Sequence, residues 1–232
     1  MAPLGKSTSP ASGAPGDRRV RRFVQLQVGL AAYGVSLALM VTAGLGLDPW
    51  DVLHQGVSEA TGLRFGWVVN VVGALVLLLW IPLRQRPGVG TISNVLVIGP
   101  VADAALAVLP EPRHLAARVG LLVAGVLLNG VATGLYIGAR LGPGPRDGLM
   151  TGFVARRPGR SIRLVRTAIE VAVLAVGWLL GGTVGVGTAV YALAIGPLAH
   201  VFIPLFTVAP ASRSRPSPQT VAKPPVVDAP PR

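Results

Sequence analysis

Two short blocks carry the residues best placed to do chemistry. Asp48-Pro49-Trp50-Asp51 and Gly144-Pro145-Arg146-Asp147 each put a proline ahead of an acid at the same spacing. In such a block the first residue is a helix N-cap, Pro stands at N1 and the acid at N3. A carboxylate at N3 satisfies free backbone N–H groups and complements the helix dipole. Capping alone therefore explains Asp51 and Asp147. The segments that follow are too short to span a bilayer, so they lie in the interface or dip back into it. In the second case each helix N-terminus points at a polar cavity, and Asp51, Arg146 and Asp147 are candidates to hold a solute or a proton. Both readings stand on the sequence.

Arg166 and Glu170 are four residues apart, so they share a helix face and can pair. An acid about two turns inside a membrane span costs ~2.5 kcal/mol or more unless it is paired or faces a cavity. The pair either fixes packing or belongs to a site. Asn70 stands about 96 residues before Arg166 in an internal repeat, which makes a pseudo-twofold site chemically asymmetric. Gly99-Pro100 and Gly196-Pro197 are expected to interrupt their helices in equivalent places, since Pro removes a backbone donor. Gly88-Val89-Gly90-Thr91 and Gly185-Val186-Gly187-Thr188 read as tight turns whose threonines cap the next helix. No phosphate loop is present there, because no Lys follows. Gly29, Gly34, Gly120, Gly125 and Gly130 suggest close helix packing.

The elements that must position these residues follow from hydropathy. Of 232 residues 51% are hydrophobic and only 13% charged, well below the roughly one quarter usual in a soluble domain. Six apolar runs, at 23–43, 65–83, 91–109, 118–139, 163–181 and 187–207, are each near the length that crosses a bilayer. Asn94 and Asp103 interrupt the third. The run after the Arg18–Arg22 cluster is too long for the h-region of a signal peptide. Basic residues collect before the first run, around Arg84 and Arg86, between Arg140 and Arg163, and after the last run. Six spans with both termini cytoplasmic place each of these segments inside. Residues 1–20 and 208–232, rich in Pro, Ser, Gly and Ala, read as disordered cytoplasmic tails.

The repeat fixes the plan. Leu45, Gly46, Pro49, Asp51, Leu53 and Gly56 match Leu141, Gly142, Pro145, Asp147, Leu149 and Gly152. The Gly-Val-Gly-Thr and Ile-Gly-Pro blocks recur in nearly the same register. The expected fold is an all-α membrane protein. It has six transmembrane helices as two inverted three-helix repeats, at 21–110 and 111–207, each with a short interfacial or re-entrant helix. A unit of three spans inverts its successor, a plan common in secondary transporters.

LGLDPWDVL, GVGTISN, LGPGPRDGLM, the Arg166 and Glu170 pair, GWLLGGTVGVGT and IGP together resemble the YczE-like family of bacterial membrane proteins, related to the YitT-type group. The resemblance covers about residues 20 to 205. It implies a multi-pass inner-membrane protein of unknown biochemical function, and brings no cofactor or catalytic residue with it.

The expected function is a transporter-like carrier of a small solute or ion. The alternative is a membrane scaffold or regulatory partner of another membrane or biosynthetic protein. An enzyme is not expected. With no Cys there is no thiolate site, and His54, His114 and His200 lack metal-ligand spacing. No cofactor and no metal are expected. The net charge of +12 flanks apolar spans and forms no basic face, so no nucleic acid partner is expected either. The expected surroundings are the lipid bilayer.

Overall fold

The computed structural model describes residues 15–157, 159 and 161–208. Most of both expected tails, residues 1–14 and 209–232, lies outside the described residues. Among the described residues there are eight α-helices: α1 Pro15–Ala43, α2 Pro49–Thr61, α3 Phe65–Leu83, α4 Val89–Val108, α5 Leu115–Gly138, α6 Pro145–Arg156, α7 Ile162–Leu179 and α8 Val186–Phe206. No strand occurs among the described residues. Residues 15–20, expected in the tail, belong to the first turns of α1. Pro15 suits that start, because its fixed φ is preset for the first helical position.

Each expected span falls on a helix, and the two Pro-x-Asp blocks open the short helices α2 and α6. Among the described residues five helices, α1, α3, α4, α5 and α8, are long and apolar enough to cross a membrane. The sixth expected span, α7, forms a helix of 18 residues that includes Arg163, Arg166 and Glu170, and these charges set it apart from the other five. The helix breaks expected at Gly99-Pro100 and Gly196-Pro197 do not occur. α4 and α8 run through them unbroken. A Pro deletes one backbone donor, and neighbouring helices make that loss tolerable.

α1 and α5 form the centre and run antiparallel. Arg22, near the start of α1, donates to the carbonyls of Ala139 (2.7 Å) and Arg140 (2.5 Å) just past the end of α5. Arg118, near the start of α5, donates to Ala43 (2.7 Å) and Gly44 (2.6 Å) at the end of α1. Both arginines satisfy carbonyls that a helix end leaves without an intrahelical partner. Leu26, Leu30, Leu37, Met40, Leu122 and Val126 are buried between these helices. The glycines let the backbones close: a Cβ at Gly29 would lie 2.8 Å from Leu135 Cβ, and one at Gly125 2.7 Å from Met40 Cγ. Gly34 is equally tight against Ile98 and Val101 of α4 and Gly130 against Leu198 of α8, whereas Gly120 faces open space. Exposed Leu75, Leu78, Leu96, Leu127, Leu193 and Leu205 give the outside an apolar surface suited to lipid.

α4 packs on α1 and α8 on α5. The short helices cross over: α2 packs on α7, and α6 on α3. Two loops set their positions. The Leu45 carbonyl accepts from Gly187 N (2.7 Å), and the Leu141 carbonyl accepts from Gly90 N (2.8 Å). Gly46 and Gly142, next in the chain, adopt φ of +116° and +132°, a region that side chains rarely enter. Thr91 Oγ1 accepts from Gly88 N (3.2 Å) and donates to the Pro143 carbonyl (2.7 Å). The Gly-Val-Gly-Thr block of each half thus holds the loop that launches the other half's short helix. One pairing is unequal: α3 and α4 pack closely, while α7 and α8 scarcely touch.

Candidate functional site

The N-termini of α2 and α6 meet in the middle of the bundle. Asp48 caps α2: its Oδ1 accepts from Trp50 N (2.8 Å) and Asp51 N (3.1 Å). The same oxygen faces Arg146 Nη1 of α6 at 3.4 Å. Arg146 Nη2 donates to the Tyr33 hydroxyl of α1. The guanidinium carbon stands 5.9 Å from the ring centres of both Tyr33 and Trp50. Each helix N-terminus carries roughly half a positive charge, and Arg146 adds another. The carboxylates of Asp48, Asp51 and Asp147 offset that convergence. α6 differs from α2 in one respect: its N-cap is Gly144, so no side chain caps its first turn. Trp80 of α3 fixes α6 instead, donating from Nε1 to the Pro145 carbonyl (3.1 Å).

A cavity of ≈ 240 Å³ opens beside this junction. Asp48, Trp50, Arg146 and Asp147 form its polar floor, with Tyr33, Tyr136 and Tyr191 around them. Asp147 Oδ2 accepts from the Tyr136 hydroxyl (3.1 Å). Arg166 and Glu170 of α7 line the same cavity and pair at 2.8 Å. Gly196, Ala199 and Ile203 of α8 face it too, in the space that α7 and α8 leave open. Behind it a buried chain joins three helices. Tyr191 donates to Asn129 Oδ1 (3.1 Å), Asn129 Nδ2 to Ser36 Oγ (2.9 Å), and Ser36 to the Tyr33 carbonyl (2.7 Å).

A smaller cavity, ≈ 40 Å³, lies on the α3 side and shares Tyr33, Trp50, Asn94, Pro145 and Arg146 with the first. Asp51 and His54 line it, with His54 Nδ1 3.0 Å from Asp51 Oδ1. Asp48 Oδ2, Asp51 Oδ2 and Trp50 Nε1 are buried and have no hydrogen-bond partner among the described residues. Each such group costs ~1–3 kcal/mol, more for a charged one. Among the described residues no three His, Asp or Glu side chains come together as metal ligands.

Of the sequence candidates, Arg146, Asp147, Arg166 and Glu170 line one cavity, and Asp51 lies in the adjoining one. Asn70 is apart from them. It packs against Gly99 of α4, and with Pro100 it borders a separate groove. Gly196 lines the main cavity, whereas Pro197 does not. By sequence Asp48 reads as a cap alone, and no aromatic residue stands out. A signal existed: the chain has only three tyrosines, and all three line this cavity.

A family described as "Family of unknown function (DUF6198)" matches residues 20–204. An uncharacterised protein of Haemophilus influenzae is 40% identical over 174 residues, covering 75% of this chain and 79% of that protein. The uncharacterised membrane protein YczE of Bacillus subtilis is 32% identical over 176 residues, 75% of this chain and 81% of its own. The uncharacterised protein YyaS of the same organism is 26% identical over 188 residues, 79% and 93% of the two chains. No solved structure matches the chain.

Proposed function

The chain belongs to this family of unknown function and has the membrane protein YczE as a relative, and from that premise we propose that it carries a small solute across the bacterial cytoplasmic membrane. The observation behind the proposal is the junction of Arg146 with Asp48. It brings the N-termini of two short helices, one from each half of the chain, to a single polar cavity. Short helices ending at a polar cavity are how many secondary transporters build a solute site. The two halves then stand as inverted repeats: α7 is the sixth span, α2 and α6 are re-entrant, and both termini are cytoplasmic. The antiparallel pairing of α1 with α5 and the basic segments support this plan.

The cavity offers donors in Arg146 and the first turn of α6, and acceptors in Asp147 and Glu170. That combination suits a small charged or zwitterionic solute. No bond-making chemistry is assigned to these groups, and the site is read as binding without turnover.

The test is a thermal-shift screen of the detergent-purified protein against amino acids, carboxylic acids, amines and inorganic ions. An Asp51→Asn/Asp147→Asn double variant is run beside it. A ligand that binds only the folded state adds ~2.7 kcal/mol at a hundredfold excess over its Kd. A hit that disappears in the double variant, followed by uptake of that compound into proteoliposomes, supports the carrier. A silent screen on folded protein, together with a stoichiometric membrane partner on gentle solubilisation, overturns it in favour of a scaffold.

A further inference from the structure

The two halves of the chain use the same residues yet stand in different states at one place. In α3 and α4, Gly66 and Asn70 lie directly on Gly99. A Cβ at Gly99 would overlap Asn70 Oδ1 and the Gly66 carbonyl. Asp103, one turn further along α4, locks the contact by accepting from Gly66 N (2.6 Å). The corresponding positions in the second half, about 96 residues on, are Ile162, Arg166, Gly196 and His200. There the contact is absent: nothing lies within 4 Å of a Cβ at Gly196, and Arg166 is exposed.

This difference decides where the cavity opens. On the α7 and α8 side, Arg166 and Gly196, both exposed, and Ala199 line the main cavity, which therefore opens there. On the α3 and α4 side, Val69, Gly73 and Ile98 face the small inner cavity beside Asp51. Their neighbours Asn70, Pro100 and Asp103 face a surface groove of ≈ 470 Å³ together with Arg64 and Trp67. The contact at Gly66, Asn70 and Gly99 is thus the partition between an outer groove and the site. Asn70 Oδ1 is buried there without a partner. A polar atom left unsatisfied in a closed contact favours a second arrangement in which it reaches water.

We propose that these helix pairs are two alternating gates of the solute site: α3 on α4 closed here, α7 on α8 open here. In the opposite state the segment Ile162 to Arg166 closes over Gly196, and Asn70 parts from Gly99. The inference rests on the carrier reading, and it adds which helices move and which state the structure holds. By the orientation proposed above, the open mouth is cytoplasmic and the groove external. Two states of one element pair, exchanged between halves, are what alternating access requires.

The chain has no Cys, which gives a clean background. Ala102 of α4 is fully buried, while its counterpart Ala199 of α8 lines the open cavity. The experiment places Ala102→Cys and Ala199→Cys separately in the full-length protein. Each is probed with a membrane-impermeant maleimide on intact cells and on inverted vesicles. The expected result is labelling at 199 from the cytoplasmic face and protection at 102 from both faces. Adding Gly99→Ala, or separately Asn70→Ala in case the first disturbs folding, is expected to raise labelling at 102 from outside several-fold and to lower it at 199. Protection at 102 in both folded variants overturns the proposal. So does a rise at 102 with no fall at 199, which is a leak without exchange. Reciprocal labelling in a protein that binds and transports none of the screened solutes leaves the gates standing and removes the carrier.

Discussion

Arg22 and Arg118 grip opposite ends of the same helix pair, each holding two carbonyls where the other's helix stops. Hydrogen bonds to a charged donor contribute ~1.5–3 kcal/mol each. Arg22→Ala and Arg118→Ala are each expected to lower stability by at least that much, measured by thermal unfolding in detergent. Lys at either position is expected to recover little, because an ammonium cannot place two donors in a fixed fork. Arg113, exposed and without such bonds among the described residues, is the control. Its replacement by Ala is expected to stay within about 0.5 kcal/mol of the parent. Equal stability of all three variants would show that the two arginines are ornaments on helices packed by other means.

Asp48 serves as helix cap and as partner of Arg146 at once, and two substitutions separate the roles. Asp48→Asn keeps an oxygen for Trp50 N and Asp51 N but removes the charge facing Arg146. Asp48→Ala removes both. Loss of a cap costs ~0.5–2 kcal/mol. Breaking a buried pair costs ~3–5 kcal/mol, and the lower end applies here because 31% of the Arg146 side chain is accessible. Chemical denaturation is expected to rank the parent above Asp48→Asn and that above Asp48→Ala. An Ala variant as stable as the Asn variant would mean that the cap contributes nothing.

The positions of the helices were readable because hydropathy, Pro-x-Asp caps and Gly turns are local features that tertiary contacts did not override. Arg22 and Arg118 stand 96 residues apart in the repeat, but a basic residue beside an apolar run reads as charge at a membrane face and gives no sign of the carbonyls it holds. Asn70 shows where the repeat misleads. It matches Arg166 in register, yet one residue sits in a closed contact and the other at an open mouth. A repeat specifies equivalent positions, and a conformational state need not treat them equally. The tyrosines escaped for the opposite reason. The register of Tyr33 leads to Asn129, so matching the halves gives no hint that both belong to one hydrogen-bonded chain with Tyr191.

Membrane orientation gives a direct check on the sixth span. Reporter fusions after residues 63, 86, 112, 158, 183 and 208 are expected to alternate between external and cytoplasmic, starting outside. The decisive pair is 158 and 183. Opposite sides mean that α7 crosses despite Arg163, Arg166 and Glu170. The same side at both would make α7 a surface helix and end the six-span plan.

Asp147 and Glu170 are expected to matter for binding while contributing little to folding. Asp147→Asn keeps an oxygen that accepts from the Tyr136 hydroxyl. Glu170→Gln loses an ion pair whose Arg166 side is 57% exposed, and such i,i+4 pairs contribute about 0.3–0.5 kcal/mol. Both variants should therefore unfold within about 1 kcal/mol of the parent. Their ligand response should differ from the parent's far more. A solute held by these carboxylates loses most of the ~2.7 kcal/mol that a hundredfold excess over Kd supplies. The measurement is the ligand-induced shift in Tm for each variant, with the parent alongside. A shift of full size in both variants would place the solute away from the α6 and α7 side of the cavity. It would leave Asp48, Arg146 and the inner cavity beside Asp51 as the remaining place for it to bind.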